Sequence, residues 1–462
     1  MARQSFKPGI APLGVGGDTN RSVNTKWEAN FTELYKAMGA VLNDANSGAE
    51  GAILPASGLP IANGGTGATT AAAARSNLGL GSVNNTADAD KPVSTATAAL
   101  VTATETGLTI LIKDSLRQSV EAASGGEQTV LYTAKGQPTY MNIIQKFDLS
   151  TIDASLSGIH PAFIVNGVEK PEIFIGTYQG KLVNGELLSL PNVDPQASAN
   201  FNNFSAYARA CGAGYHLMTN AEWSAVALQC YKNDTQPMGN TYYGRSSENP
   251  LLIGRRQDGL DPGNTSGTAR TLTGSGPVEW RHNRKPSGIA DLAGNVWEWS
   301  AGMRLVNGEI QIIADNNAAL HTIDLSETSA QWKAIDGATG NLVTPDGNGT
   351  TAGTVKFANS GTADYTINGS SFGAIRNLST TAPVSAAALA VLKALCIYPV
   401  VEDTAKFNSD GIWKTIDAGE RVPLRGGRWS SAAGAGVFAL YLTYARSAAY
   451  TLFGARPAFV NL

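Results

Sequence analysis

The sequence contains few cysteines and no long apolar run, and these absences exclude several protein classes. Cys211, Cys230 and Cys396 are an odd number without C-x-x-C spacing, which argues against a disulfide framework or a zinc ribbon. No run of about 18 apolar residues occurs, so we expect no membrane-spanning helix and no membrane insertion. Residues 1–13 lack the charged and apolar regions of a signal peptide. We therefore expect synthesis in a reducing cytosol.

Charged residues are also scarce, at 15% of the chain with a net charge of -3. Proteins that bind nucleic acid need a basic surface to neutralise phosphates, so nucleic acid is not an expected partner. The histidines show no metal-ligand spacing and no Asp-rich loop fits an EF-hand. We expect neither a metal nor another cofactor. At 462 residues the chain exceeds what one hydrophobic core normally holds, so several structural regions are expected.

Apolar side chains recur with helical spacing from Val23 to Leu42 near the N-terminus, which predicts an amphipathic helix. Thr25 followed by Glu28 fits a capping box and places the predicted helix start near Thr25. Nothing nearby in sequence covers the apolar face, which favours an oligomer or a docking partner over a membrane surface. The segment resembles the N-terminal attachment segment of phage tail fibres. That resemblance implies that residues 1–50 bind a phage baseplate or tail protein.

Residues 51–95 are rich in Gly, Ala and Thr and nearly lack large side chains. Such a composition builds no monomeric core and either stays disordered or becomes ordered when chains wind together. The motif GGTGATT at 64–70, followed by NLGLG at 77–81, resembles the shaft repeat of tailed-phage side fibres. The resemblance implies that residues 51–127 form a slender homotrimeric shaft, within which a helix or short coil is predicted over 94–123.

Large aromatic side chains concentrate in the second half of the chain, where seven of the eight tryptophans lie beyond residue 200. Strands are predicted from Gln128 onward, with a turn between Lys135 and Pro138. The main hydrophobic core is therefore expected within residues 128–462.

Three segments of this region, at 214–223, 288–299 and 425–429, together resemble the formylglycine-generating-enzyme type of C-type lectin fold. The motifs are GYHLMTNAEW, GIADLAGNVWEW and RGGRW. The resemblance implies an α+β receptor-binding head of residues 128–462 on the fibre shaft. The residues that it implies as framework are Trp223, Asn295, Trp297, Trp299, Gly427, Trp429, Gly454 and Arg456.

Local chemistry also assigns structural roles to these segments. Asn220 is predicted to cap the helix that carries Trp223, and Asn295 to bond the backbone of its own loop. Trp297 and Trp299 are spaced as strand residues are. An indole in a mixed polar loop usually anchors a core, so we expect packing rather than ligand contact from these tryptophans.

An insertion of about 300–424 exceeds what the lectin scaffold requires. Its middle is rich in Gly, Thr and Asn, and a helix capped by Ser385 is predicted over 385–395. The sequence at 369–373 matches the G-x-S-x-G elbow of α/β-hydrolases, but all four histidines precede it, so we interpret it as a loop. Whether the insertion flanks a binding surface or an interface between copies stays open at this point.

Residues 426–456 resemble, without a gap, the variable segment of proteins that diversity-generating retroelements mutate, of the major tropism determinant type. Such elements randomise adenines in template codons, so a diversified position never becomes Lys, Glu, Gln, Met or Trp. The resemblance marks twelve positions of this segment as diversified, and the residues at all twelve obey this restriction. The resemblance implies a face for a bacterial host surface receptor, formed by Arg428, Ser430, Ser431, Ala432, Gly434, Tyr441, Thr443, Tyr444, Ala448, Tyr450, Leu452 and Phe453.

These features predict a phage tail-fibre receptor-binding protein that is part of the virion, forms a homotrimer and binds a protein or glycan on the host. One alternative is a lectin-like fibre tip with a fixed aromatic platform for surface glycan. Another is a glycan-acting enzyme, for which no pair of acidic residues can be placed in one pocket. Oxidases of the resembling family need a C-terminal cysteine pair for copper, and no cysteine follows Trp429. We therefore expect a protein that is not an enzyme.

Overall fold

The structure is a computed structural model of the chain that describes residues 20–37, 65–80, 114–357, 370–374, 378–379, 384–401, 403–416 and 419–462. The chain divides into two compact units, Met1–Ile112 and Lys113–Leu462. None of the helices in the described ranges is long and apolar enough to cross a membrane.

The first described helix, α1, spans Asn20–Ala37. The predicted helix is thereby confirmed, but its predicted start near Thr25 is wrong. The preceding residues, NRSVN, contain neither Pro nor Gly to stop a helix, so the helix extends upstream past the capping-box motif. Trp27 and Phe31 lie one turn apart and their ring centroids are 5.7 Å from each other. Residues 38–42 of the predicted helix lie outside the described residues.

A short helix, α2, spans Ala71–Asn77 within the predicted shaft. The Thr70 side chain caps its N-terminus. At its other end the Asn77 side-chain amide donates to the carbonyls of Thr66 and Gly67 at 3.0 and 2.9 Å. The glycine-rich motif and the following helix are therefore joined by hydrogen bonds into one small turn–helix unit. Residues 51–64 and 81–113 of the predicted shaft and coil lie outside the described residues.

The second unit contains the remaining helices and strands. The helices are α3 Ser115–Ser124, α4 Phe201–Arg209, α5 Asn220–Asn233 and α6 Ala386–Ala394. The strands up to the insertion are β1 Gln128–Tyr132, β2 Pro138–Gln145, β3 Ile164–Val165, β4 Val168–Glu169, β5 Glu172–Gly176, β6 Gly180–Val183, β7 Glu186–Ser189, β8 Tyr215–Leu217 and β9 Trp297–Trp299. Those that follow are β10 Met303–Val306, β11 Glu309–Ile312, β12 Lys333–Ile335, β13 Leu342–Val343, β14 Lys356–Phe357, β15 Ser370–Ser371, β16 Leu378–Ser379, β17 Gly411–Lys414, β18 Glu420–Arg421, β19 Leu424–Gly426, β20 Gly436–Leu442, β21 Phe453–Ala455 and β22 Pro457–Phe459.

Helix α3 packs on the start of this second unit. The Arg117 Nε donates to the Val130 carbonyl at 2.7 Å, and the Thr129 hydroxyl donates to Glu121 at 2.7 Å. The predicted boundary between shaft and head at 127/128 therefore falls inside the unit. The helix predicted over 94–123 is confirmed in its last part, whereas its residues 94–113 lie outside the described ones.

The first sheet joins the beginning of the second unit to its end. Its strand order is β1-β2-β5-β22-β8, and the C-terminal strand β22 pairs antiparallel with both β5 and β8. The predicted strand pair that starts at Gln128 is confirmed, with Gln128 opposite Asn142. The last strand of the chain thus closes the scaffold by lying between two earlier strands.

The insertion forms a sheet of its own and also extends another one. Strands β13-β12-β11-β10-β18 lie in that order, with β14 paired to β11 and β16. A further sheet has the order β15-β17-β20-β19-β9-β21, in which the insertion strand β17 pairs in parallel with β20. Because β20 belongs to the predicted variable segment, the insertion directly flanks that segment.

Helix α5 begins with a complete capping box. The Thr219 hydroxyl accepts from the Glu222 backbone N–H at 3.1 Å, and the Glu222 carboxylate accepts from the Thr219 N–H at 2.9 Å. The prediction that Asn220 is the cap is therefore wrong, because Asn220 is the first helical residue and its side chain binds Arg425 instead. On this helix Trp223 is buried, and its indole N–H donates to the Val437 carbonyl at 2.7 Å.

The insertion contains the predicted helix and no hydrolase elbow in its described part. Helix α6 begins after Ser385, whose hydroxyl accepts from the Ala388 N–H at 3.1 Å, as predicted. Ser371 ends strand β15 and is followed by a single 3-10 turn over Phe372–Ala374. The elbow requires a helix at that position, so the G-x-S-x-G match is a local loop feature; residue 369 lies outside the described residues.

Candidate binding face

The variable segment starts from two consecutive glycines with left-handed backbone. Gly426 has φ 89° and Gly427 has φ 97°. A Cβ on Gly426 would lie 2.7 Å from the Leu292 carbonyl oxygen, and one on Gly427 would overlap Ala435. Only glycine supplies this backbone conformation without strain in so narrow a space. The RGGRW motif is therefore a requirement of the turn that leads into the face.

Backbone hydrogen bonds to neighbouring loops fix the turn after these glycines. The Trp429 N–H donates to the Asn295 carbonyl at 3.0 Å, and the Trp429 carbonyl accepts from the Tyr243 N–H at 2.6 Å. The Ala432 N–H donates to the Thr241 carbonyl at 3.0 Å. All three bonds use main-chain atoms, so side chains in this turn can change without loss of these bonds.

The second half of the segment is held in the same way. The Ser198 N–H donates to the Tyr450 carbonyl at 3.1 Å, and the Trp297 N–H donates to the Leu452 carbonyl at 2.9 Å. The Phe201 N–H donates to the Arg446 carbonyl at 3.2 Å. The donors lie outside the segment: Ser198 precedes α4, Phe201 begins α4, and Trp297 begins β9.

Four aromatic rings of the segment form a continuous cluster. Tyr441 stacks on Tyr444 with centroids 5.5 Å apart, and Tyr444 contacts Tyr450 at 5.3 Å. Phe453 contacts Tyr444 at 4.9 Å and Tyr450 at 5.2 Å. Burial, followed by the neighbouring Tyr444, raises the pKa of the Tyr441 phenol. The Tyr441 hydroxyl is therefore a neutral hydrogen-bonding group at physiological pH.

Exposure separates Phe453 from the other predicted ligand-contacting positions. Phe453 is fully buried and packs on Trp299 with ring centroids 5.4 Å apart. Its expected contact with a receptor is therefore corrected to a supporting role under Tyr444 and Tyr450. The positions that are exposed or half-buried are Arg428, Ser430, Ser431, Ala432, Gly434, Tyr441, Thr443, Tyr444, Ala448, Tyr450 and Leu452.

The predicted framework residues lie inside the unit. Arg456 forms a bidentate ion pair with Glu298, with Nε–Oε2 and Nη2–Oε1 distances of 3.0 and 2.8 Å. Asn295 differs from expectation, because its side chain bonds the backbone of another loop at Thr271 and the side chain of Gln179. The buried framework set comprises Trp223, Asn295, Trp297, Trp299, Gly427, Trp429, Gly454 and Arg456.

A tryptophan from the insertion, Trp413, adjoins the face and was missed by the sequence analysis. Its ring lies 5.4 Å from Tyr441 and 5.6 Å from Trp297. The only local signal was a pair of adjacent apolar residues, Ile412 and Trp413, inside the insertion. Its pairing with β20 depends on a long-range contact that local sequence does not encode.

The three cysteines and His216 of the second unit are buried. All three cysteines are free thiols in buried positions, and burial raises the pKa of each to about 12. His216 lies between the Gly214 carbonyl and the Glu222 carboxylate, at 2.9 and 2.7 Å. Among the described residues no group of three or more His, Cys, Asp or Glu side chains could hold a metal ion.

Comparison with known proteins identifies one domain type within the second unit. Residues 177–305 match the family model of the sulfatase-modifying factor enzyme 1-like domain. Some members of that family are enzymes, and the described residues supply no support for catalysis. The matched range contains the first and second of the three lectin-type segments and the whole of α5. This part of the chain is therefore a lectin-like domain of mixed helix and sheet.

One similar solved structure is the "Major Tropism Determinant P3c Variant". It is 12% identical, with a TM-score of 0.25, and the alignment covers 64% of this chain and 51% of that chain. This chain thus spans about half the length of that structure. No curated protein matches the chain.

Proposed function

We propose that this protein is a receptor-binding adhesin of a phage tail fibre. Its N-terminal region attaches to the baseplate or tail, three copies form the fibre, and the lectin-type unit binds a molecule on the bacterial surface. The binding face is the set of exposed positions in 426–456, diversified by a retroelement. The protein acts in the virion and breaks no bond in its receptor.

One observation carries this proposal. The variable segment is fixed in place by its backbone atoms, whereas the side chains at most of its predicted variable positions reach solvent and are free to differ. Carbonyls and N–H groups of Trp429, Ala432, Tyr450 and Leu452 bond residues of neighbouring loops. Eleven of the twelve predicted variable positions keep exposed surface. A segment built in this way can accept many side chains without losing its backbone bonds, which is the requirement for a diversified binding surface.

The chemistry of the exposed side chains suits recognition of a macromolecule. Tyrosine and arginine are enriched at binding hot spots because they bring large contact area and few rotatable bonds. Tyr441, Tyr444 and Tyr450 lie in one cluster, and Arg428 is the only charged residue among the twelve positions. Small residues such as Ser430 and Ala432 leave room between these larger groups.

The test is adsorption of the labelled full-length protein to a panel of intact bacterial strains. We expect binding to some strains and its loss when Tyr441, Tyr444 and Tyr450 are all replaced by Ala. The control is Val168→Ala, which truncates an apolar side chain that is 55% exposed, in the hairpin β3–β4 outside the variable segment. Undiminished adsorption of a triple variant that is still folded at the assay temperature would place the receptor site elsewhere.

Diversification is tested separately from binding. The DNA should contain a near-repeat of the segment that encodes residues 426–456, with adenines at the twelve positions, beside a reverse transcriptase gene. A locus without that repeat would leave a fixed aromatic platform for surface glycan as the function of the same face.

A further inference from the structure

Trp413 occupies a central place beside the proposed face although it belongs to the insertion. Strand β17 runs parallel to β20 and sets Trp413 opposite Tyr441. The indole packs at 5.6 Å against the buried Trp297, while Trp413 itself is only half-buried. One side of the ring is thus held by the framework, and part of its surface remains open to solvent.

The outer edge of this indole is enclosed by two glycines. A Cβ on Gly411, two residues earlier on the same strand, would overlap the six-membered ring. A Cβ on Gly434, in the turn of the variable segment, would lie 3.0 Å from Cη2 and 3.2 Å from Cζ2 of the same ring. Neither glycine has a left-handed backbone. Glycine matters at both positions because a side chain there would collide with the Trp413 ring, not because the backbone has an unusual conformation.

The indole therefore connects the two halves of the variable segment. On one side it contacts the turn at Gly434, and on the other it contacts Tyr441 and through it the tyrosine cluster. Gly434 is a predicted variable position, whereas Trp413 lies outside the variable segment and is fixed. Every residue type other than glycine carries a Cβ, so nearly every change at position 434 must move the indole by a few tenths of an ångström or more.

We infer that Trp413 is a fixed ligand-contacting residue of the binding face and that the residue at position 434 sets how its indole is presented. This inference rests on the proposed function and adds a contacting residue whose identity diversification does not change. With Gly434 the indole lies between Gly411 and the turn, next to Tyr441. With a larger residue at 434 the indole is displaced outward, so one variable position alters two side chains of the surface. The kind of ligand favoured is one that can place an apolar group against the indole beside the tyrosines.

The positional part of the inference is tested without a ligand. Hydroxyl-radical labelling of the full-length protein, read by mass spectrometry, measures the oxidation rate of Trp413. We expect a higher rate in Gly434→Ser and in Gly411→Ala than in wild type. Ala433→Ser is the matched control, because Ala433 neighbours Gly434 but is exposed, and it should leave the rate unchanged. An unchanged rate in Gly434→Ser overturns the coupling between position 434 and the indole.

The binding part uses the same variants on a strain that the wild-type protein adsorbs to. We expect Trp413→Phe and Gly411→Ala to weaken adsorption at least about fivefold, the factor that corresponds to one lost hot-spot contact, and Ala433→Ser to leave it intact. Variants are compared only after thermal unfolding shows a folded protein. Wild-type adsorption of both Trp413→Phe and Gly411→Ala, together with loss in the tyrosine triple variant, overturns the Trp413 contact and leaves the proposed function standing. If the tyrosine triple variant also adsorbs normally, the proposed function itself fails.

Discussion

Arg446 of the variable segment and Glu420 of the insertion form a bidentate ion pair, with both N–O distances at 2.6 Å. Glu420 also accepts from Arg304 of the insertion sheet at 3.0 Å. Both arginine side chains are nearly buried, as is the carboxylate. Arg446 further donates to the Leu325 carbonyl at 2.9 Å. One carboxylate thus joins the insertion to the loop that precedes Tyr450, the most exposed of the described tyrosines.

Replacing Glu420 by Gln should strongly destabilise the second unit. The change leaves Arg304 and Arg446 buried without their shared counter-charge, a defect that typically costs about 3–5 kcal/mol. Denaturant unfolding measures it. The control is Glu169→Gln, which breaks the exposed Lys146–Glu169 pair at 2.8 Å and should cost about 1 kcal/mol or less. Equal small losses in both variants would show that the buried pair does not hold the insertion.

Replacing Trp297 by Ala should also destabilise the unit, by about 3–5 kcal/mol, because a large buried side chain leaves a cavity. Trp297 contacts Trp413 and Tyr441 and is 3% exposed. The control, Leu251→Ala, removes a side chain that is 87% exposed and should change stability by about 0.5 kcal/mol or less. A Trp297→Ala variant with the wild-type unfolding midpoint would contradict a framework role.

Two occurrences of one sequence pattern show how far the fold can be predicted from local sequence. Among the described residues the pattern T-x-x-E occurs at Thr25 and at Thr219, and of these two only Thr219 starts a helix. Strand β8 ends at Leu217, so the chain must turn before Thr219, whereas the residues before Thr25 continue a helix. A capping box therefore indicates a helix start only where the preceding residues cannot be helical, which holds at Thr219 but not at Thr25.

Those features of the binding face that depend on local sequence alone could be predicted. The glycine pair and the alternating tryptophans of GNVWEW indicate turns and a strand directly from side-chain chemistry. Long-range packing decided the rest. The parallel pairing of β17 with β20 brings Trp413 to Tyr441, and the contact of Phe453 with Trp299 buries a ring that its place in the variable segment had suggested to be exposed.

Single tyrosine substitutions should separate binding from folding. Tyr450 is 49% exposed, so Tyr450→Ala should weaken adsorption by more than about 1 kcal/mol while the unfolding temperature stays near that of wild type. Tyr441 packs on Trp297 and Trp413, so Tyr441→Ala should weaken adsorption and also lower the unfolding temperature. Thr451→Ala, at an exposed non-variable neighbour, is the control. A Tyr450→Ala variant that loses stability but not adsorption would reverse these roles.

Buried neutral histidines should make the second unit sensitive to acid. Burial lowers the pKa of His160 to about 3 and that of His282 to about 4. His160 donates from Nε2 to the Ala394 carbonyl at 2.9 Å and accepts from the Ala162 N–H at 3.1 Å. Between these values and the ordinary pKa of about 6.5, the unfolded chain binds protons that the folded chain does not. The stabilisation is complete above about pH 6.5 and is lost as the pH falls toward the folded pKa values.

In that window each histidine should contribute a slope of about 1.4 kcal/mol per pH unit. The measurement is urea unfolding at a series of pH values between neutrality and pH 5. His160→Asn keeps an acceptor for the Ala162 N–H and removes the titrating ring, so it should reduce the slope by one histidine's share. An unaltered slope in this variant would mean that His160 is not protonated differently in the folded and unfolded chains.

The last prediction concerns assembly of the full-length chain. Helix α2 has no buried residue, and Leu78 and Leu80 after it are 47% and 44% exposed. This turn–helix unit has no hydrophobic core of its own, and the apolar surface of these leucines becomes buried when identical chains associate. Sedimentation equilibrium should give three protomers at micromolar concentration. Three linked heads would then raise weak single-site affinity by roughly 10²–10⁴ through avidity.

Paired variants test whether these leucines hold the assembly together. Leu78→Ser with Leu80→Ser should shift the equilibrium toward the monomer and weaken adsorption to host cells, while the second unit unfolds at its wild-type temperature. Val168→Ser, an exposed apolar change in hairpin β3–β4, should leave three protomers. A monodisperse monomer of the wild-type chain would contradict both the shaft interpretation and the tail-fibre proposal, because a fibre built from this glycine- and alanine-rich segment requires several chains to bury any surface at all.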